Sequence, residues 1–136
     1  MKSNEPQELP PIVVAAAIIW QKDRVLLSRR KPESYLGGLW EFPGGKKEFG
    51  ETLEDCLRRE VKEELGVEIS EPVWFHSLQY QYPEKMVELY FYTCSIILGI
   101  PQALESAEIT WVRKHELISY EFPPADIPVI NKIMQI

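Results

Sequence analysis

The stretch GGKKEFGETLEDCLRREVKEELGV, from Gly44 to Val67, packs seven acidic residues into 24 positions of a chain whose net charge is already −6. Its spacing predicts a helix over Thr52 to Leu65. Leu53, Leu57, Val61 and Leu65 recur every four residues and form one apolar stripe. Thr52 is the predicted N-cap, with Asp55 as an acidic first-turn partner. Gly66 then stops the helix. Glu60, Glu63 and Glu64 stand at i, i+3 and i+4, so they share a face roughly 100° wide. Like charges this close destabilise a helix by roughly 0.2–0.5 kcal/mol per pair. One reading is a solvated glutamate face. The other is a compensating hard divalent cation, which takes oxygen ligands and substrate phosphates. The flanks weigh toward the cation. Gly44-Gly45 lets backbone approach a ligand closely. Glu51 stands just before the helix, and Arg59 lies beside the glutamates, where a guanidinium can form a bidentate pair.

At 136 residues the chain reads as one domain, long enough to bury a core. PIVVAAAIIW is near-continuously apolar and predicts a buried central strand. After a turn at QKD, RVLLSRR predicts its partner. LWEFPGG predicts a short strand running into a Pro-Gly-Gly turn. VWFHSLQYQYP and MVELYFYTCSIIL predict two long strands joined around PEK, and EITWV another. RKHEL predicts a short helix or turn. PPADIPVINKIMQI predicts a C-terminal helix with apolar positions at Ile127, Ile130 and Ile133/Met134. Strict βαβ alternation is absent. The expected class is therefore α/β, with a mixed β-sheet sandwiched between α-helices.

The longest apolar run, Ile12–Trp20, is too short to span a bilayer. The preceding MKSNEPQELPP does not resemble a signal-peptide n-region. Residues 1–10 are expected to fray, and the expected location is cytoplasmic, with no membrane partner. Cys56 and Cys94 form neither a metal spacing nor a disulfide framework, and each packs as a small apolar group. The acidic balance argues against duplex nucleic acid as partner. It leaves room for a small phosphorylated ligand if a cation mediates. His76 and His115 stand alone and are taken as structural.

From Gly45 to Val67 the sequence resembles the Nudix box. That pattern runs Gly, five residues, Glu, seven residues, Arg-Glu-aliphatic, one residue, Glu-Glu, one residue, Gly-aliphatic. Gly45, Glu51, Arg59, Glu60, Val61, Glu63, Glu64, Gly66 and Val67 fill every specified position. The resemblance implies a single Nudix domain over residues 1–136 and a loop–helix–loop site for Mg²⁺ or Mn²⁺. Glu60 and Glu64 would be the main metal ligands, with Glu63 and the Gly45 carbonyl also contributing. Arg59 would pair with Glu51 and orient the loop. The chemistry implied is hydrolysis of a nucleoside diphosphate linked to another moiety.

Beyond the box, LLSRR, LWEFPGGK, YQYPEK, ITWV and EFPPADIPVINKI look like the MutT type. That likeness implies cleavage of (d)NTPs, oxidised ones such as 8-oxo-dGTP among them, to NMP and pyrophosphate. The alternatives are CTP, dCTP or 5-methyl-dCTP as substrate, or a nucleotide sugar or ADP-ribose. A non-catalytic nucleotide-binding module is a further alternative, and the chain would act as a monomer or homodimer. Glu105, six residues before Trp111, is similar in placement to a loop carboxylate that joins the metal site or acts as base; Glu108 competes for the role. Asp126 departs from the Asn of the 8-oxoguanine enzymes. An ionised Asp only accepts and suits an exocyclic amino group; its other reading is the N-cap of the last helix. Tyr82, Tyr80 and Trp40 are stacking candidates, although aromatics at strand spacing also build cores. Of Arg29 and Arg30, one would reach phosphate or base and the other would lie on the surface.

Overall fold

The computed structural model describes residues 10–136. Residues 1–9, most of the segment expected to fray, lie outside it. The chain runs β1 (Ile12–Gln21), β2 (Arg24–Arg29), β3 (Trp40–Glu41), β4 (Gly44–Lys46), α1 (Leu53–Leu65), β5 (Glu68–Ile69), β6 (Val73–Tyr82), β7 (Lys85–Cys94), β8 (Ile96–Leu98), β9 (Glu108–Arg113) and α2 (Ile127–Met134). Short 3₁₀ turns at Lys114–Ser119 and Pro124–Asp126 lead into α2. Seven strands make one mixed sheet in the order β3-β2-β1-β7-β6, with β4 added to β1 and β9 to β2. β1 and β7 are parallel, from Ile12 opposite Val87 to Ile19 opposite Cys94. The other pairs in this sheet are antiparallel.

The unbroken apolar run of β1 follows from burial on both faces. Ala15, Ala17 and Ile19 pack with Cys56, Leu57, Val61 and Leu65 of α1. The alternate residues Ala16 and Ile18 pack with Phe42, Phe91 and the α2 residues Val129, Ile130 and Ile133. Period-2 alternation thus divides one strand between two cores. Each helix closes one layer.

Helix α1 forms where its caps place it. Thr52 Oγ1 accepts from Asp55 N at 3.1 Å, and Gly66 is left-handed with its N–H on Lys62 O at 2.9 Å. Helix α2 differs from expectation in its stripe. Val129, Ile130 and Ile133 are buried, while Ile127 opens the first turn and is 46% exposed. Lys132 Nζ donates to Phe75 O and lies over the Trp74 and Phe75 rings, fastening α2 to β6.

One correction concerns the glycine pair. Gly44 and Gly45 are not in a turn. They are residues of β4, opposite Ala16 and Ala15 of β1. A Cβ on Gly44 would come within 2.0 Å of the Ala15 carbonyl oxygen, so glycine is what lets the two backbones lie this close.

Candidate active site

Glu60, Glu63 and Glu64 leave α1 at different depths. Glu64 is 7% exposed and reaches the sheet, where Ser28 Oγ donates to one oxygen at 2.9 Å and Gly44 N to the other at 3.1 Å. Burial lifts its carboxyl to about 7 against these two donors, helped by the nearby Glu41 and Glu60. Glu60 lies over β4: a Cβ on Gly45 would meet its carboxylate at 2.3 Å. Burial also raises Glu60, and Glu63 and Glu105 add to the rise, while Arg59 opposes it. Glu63 is half exposed at the outer edge.

Arg59 binds the cluster together. Its Nε and one terminal nitrogen grip Glu51 bidentately at 2.7 and 2.9 Å. The other terminal nitrogen donates to Glu60 at 2.8 Å and Glu63 at 3.4 Å. A further bond at 3.1 Å reaches the Lys46 carbonyl at the end of β4. The hydrogen bonds from Arg59 hold Glu51 down at about 2. Glu51 in turn accepts from Glu48 N at 2.8 Å and closes the loop between β4 and α1. The Gly45 carbonyl accepts a long bond, 3.6 Å, from the buried Cys56 thiol. Burial first, and then the Glu51 charge, push that thiol up to about 11, so it stays protonated at neutral pH.

Gly44 and Gly45 also line a cavity of about 350 Å³ between β1, β4, β7 and the 3₁₀ turn Pro124–Asp126, along with Arg30, Glu41, Tyr82 and Asp126. A second cavity of about 200 Å³ shares Arg30, Glu41 and Gly44 with the first and is completed by Glu64 and Glu105. The carboxylate cluster and the larger cavity therefore lie on opposite sides of one glycine strand. Glu105 borders the smaller cavity from an exposed loop and is in no ion pair among the described residues.

The candidates outside the box divide. Arg30 is in the cavity, its guanidinium on Glu41 at 3.0 Å. Arg29, one residue earlier and so on the other side of the strand, is not. It pairs with Glu108 at 3.0 Å, bonds the Gly38 carbonyl and lies over Trp40. Of the two arginines, Arg30 is therefore the one that lines the cavity, and Glu108 is the surface partner of Arg29. Trp40 packs edge-on against Tyr120 in the second core. Tyr80 packs against Tyr82, which is the ring that lines the cavity. Asp126 makes no capping bond to α2. Its carboxyl is 7% exposed and faces the cavity, raised to about 7 by burial and by Glu41 against the pull of Arg30. Burial and the Asp126 charge push Tyr82 up to about 12, leaving a phenol donor.

Glu41 was not singled out from the sequence. Burial raises it above the ordinary carboxylate range despite Arg30. Its signal was present, one charged residue inside the apolar run LWEF.

Comparison with known proteins identifies the family. The model of the NUDIX domain matches residues 14–132, and the chain belongs to the Nudix family. It is 35% identical over 124 residues to the 8-oxo-dGTP diphosphatase of Haemophilus influenzae, covering 90% of this chain and 91% of that one. It is 36% identical over 123 residues to the CTP pyrophosphohydrolase of Escherichia coli, with the same coverage. The solution structure of the E. coli ORF135 protein superposes with a TM-score of 0.79 at 35% identity, over 91% of this chain and 89% of that one.

Proposed function

We propose that this protein is a divalent-metal-dependent pyrophosphohydrolase of nucleoside triphosphates, releasing the nucleoside monophosphate and pyrophosphate. The observation that carries the reading is the shared glycine strand, with Glu60 and Glu64 against one side and a nucleoside-sized cavity on the other. The donor set suits Mg²⁺, or Mn²⁺. It is all oxygen, and two of its carboxyls are raised by burial and by like charge, so a cation would relieve them. No three acidic, His or Cys side chains converge tightly enough among the described residues to enclose an ion unaided, which leaves room for substrate phosphates as ligands. Glu60, Glu63, Glu64, Glu105 and the Gly45 carbonyl are the residues assigned to hold it. When bound, such an ion neutralises phosphate charge and makes water a nucleophile near neutral pH.

The chain's own residues do the rest. Arg59 and Glu51 fix the loop and hold Glu60 in place. Arg30 borders both cavities, which supports assigning it to the phosphate nearest the nucleoside. In the alternative to its role as a ligand, Glu105 accepts the proton of the water that attacks the β-phosphorus. Tyr82 and Asp126 receive the base.

Asp126 bears on which base. Protonated, it donates to O6 of 8-oxoguanine; ionised, it accepts from the amino group of cytosine. The leading substrate is an oxidised triphosphate such as 8-oxo-dGTP. CTP, dCTP or 5-methyl-dCTP is the second reading, favoured by the second carboxyl, Glu41, in the same cavity. The test is kcat/KM for 8-oxo-dGTP, dGTP, dCTP, 5-methyl-dCTP and ADP-ribose with Mg²⁺. Equal rates on ADP-ribose and on every triphosphate would sink the assignment. Glu60→Gln should lose turnover while remaining folded.

A further inference from the structure

The loop between β2 and β3 has no part in either core. None of residues 31–38 belongs to a buried cluster. Backbone bonds close its neck, Arg30 N to Leu39 O at 2.9 Å and Gly38 N to Arg30 O at 3.0 Å. Two residues beyond the neck's start are left-handed, Leu36 at φ +56° and Gly38 at +82°. A leucine in that region is conformationally costly and persists only where its surroundings hold it. The loop nevertheless borders both cavities, with Lys31 and Ser34 on the smaller and Tyr35 and Leu36 on the larger.

Tyr35 is 54% exposed, yet three groups hold it in position. Arg30 Nε donates to its carbonyl at 2.6 Å. Lys85 Nζ lies 4.9 Å from its ring centroid. Its ring meets that of Tyr82 edge-on, centroids 6.2 Å apart at 77°. All three of these groups line the larger cavity themselves. A tyrosine that contributes nothing to the cores is thus set at the mouth of the cavity by cavity residues alone.

We propose that Tyr35 is the outer wall of the nucleobase site, contacting the base of the bound substrate and contributing to its binding rather than to the chemical step. The inference rests on the functional reading above for the nature of the ligand. Tyr82 rises from the sheet and Tyr35 comes from the loop, so two aromatic rings of different orientation bound the mouth. Stacking and edge contacts of this kind tolerate several bases, while Asp126 and Glu41 deeper in the cavity supply donors and acceptors.

The test compares wild type, Tyr35→Ala and Tyr35→Phe on the best triphosphate of the panel and on ribose 5-triphosphate, which lacks a base. Tyr35→Ala should raise KM for the nucleotide about tenfold with kcat within about twofold. Tyr35→Phe should stay near wild type. The base-free compound should show no difference among the three proteins. An unchanged KM in Tyr35→Ala overturns the inference, as does an equal rise on the base-free compound, which would make the loop a phosphate contact. Calorimetric binding of the nucleoside monophosphate repeats the comparison without turnover: a Kd ratio near ten supports the wall, and a ratio near one removes it. A wild type that binds the monophosphate but cleaves no triphosphate would overturn the catalytic reading and leave the Tyr35 comparison standing. Absence of any nucleotide binding by wild type would overturn both.

Discussion

Asp126→Asn removes a buried ionisable group with almost no change of shape. Burial lifts the Asp126 carboxyl from 3.8 to about 7, with Glu41 adding to the rise and Arg30 opposing it. Because the folded value lies above the unfolded one, the folded protein holds the proton through a range in which the unfolded chain has released it. The stability this group contributes is whole below about pH 4 and is lost as pH rises through about 7. With one unit worth about 1.4 kcal/mol, holding the carboxyl in its site costs folding about 2 kcal/mol at pH 5 and about 4 kcal/mol at pH 8. An amide has no such dependence. The stability of Asp126→Asn relative to wild type should therefore climb by about 2–3 kcal/mol between pH 5 and pH 8. Glu64, also raised, is common to both proteins and drops out of the difference, and the repulsion between Glu41 and Asp126 is already counted in the Asp126 value. Urea unfolding followed by tryptophan fluorescence in chelator-treated buffer at the two pH values measures it. A difference flat in pH, or one that falls as pH rises, would refute Asp126 as a carboxyl held protonated by its cavity. The same variant should shift selectivity toward 8-oxo-dGTP, since an amide both donates and accepts.

Gly45→Ala and Gly44→Ala should fail differently. The first pushes only on the end of the Glu60 side chain, so turnover should be lost with the melting midpoint within a few degrees of wild type. The second drives a Cβ into the Ala15 backbone and should destabilise by roughly 3 kcal/mol, seen in chemical denaturation; a stable Gly44→Ala would contradict the β4 register. Arg59→Lys cannot hold both Glu51 oxygens, Glu60 and the Lys46 carbonyl together. It should cost about 10–100-fold in kcat and weaken metal titration, and full activity would remove Arg59 from the site. Chelation should abolish turnover, and Mg²⁺ or Mn²⁺ should restore it; retained activity in chelator would exclude the metal reading.

How much of this was legible in advance follows from the range of the interactions involved. Helix α1 was readable because its caps and its stripe are set within a few residues of each other, and the bond from Asp55 to Thr52 and the turn at Gly66 fall where local chemistry puts them. The buried run of β1 was readable because burial on both faces leaves an unbroken apolar segment. What was missed depends on partners far along the chain. Gly44-Gly45 looks like a turn until Ala15 and Ala16, nearly thirty residues earlier, pair with it. In α2, Val129 rather than Ile127 completes the stripe because the sheet it packs on sets the rotation of the helix.

The arginine pair carries the same argument into the site. Arg29 and Arg30 are chemically equivalent neighbours, and successive side chains at the end of a strand leave on opposite sides. Which one faces the cavity depends on the register of β2 against β3 and β9, set by Ser28 opposite both Glu41 and Ile109. That register puts Arg29 against Glu108 and turns Arg30 to Glu41 and the cavity. It also turns Ser28 inward to Glu64. One strand alignment therefore settles three assignments that composition and spacing leave open. Moving β2 by a single residue would exchange them all, placing Arg29 in the cavity and leaving Glu64 without its hydroxyl donor. The cavity half of the site is thus a product of sheet register, whereas the carboxylate half is a product of helix periodicity. That difference is why the box was legible from one segment and the cavity required the whole sheet.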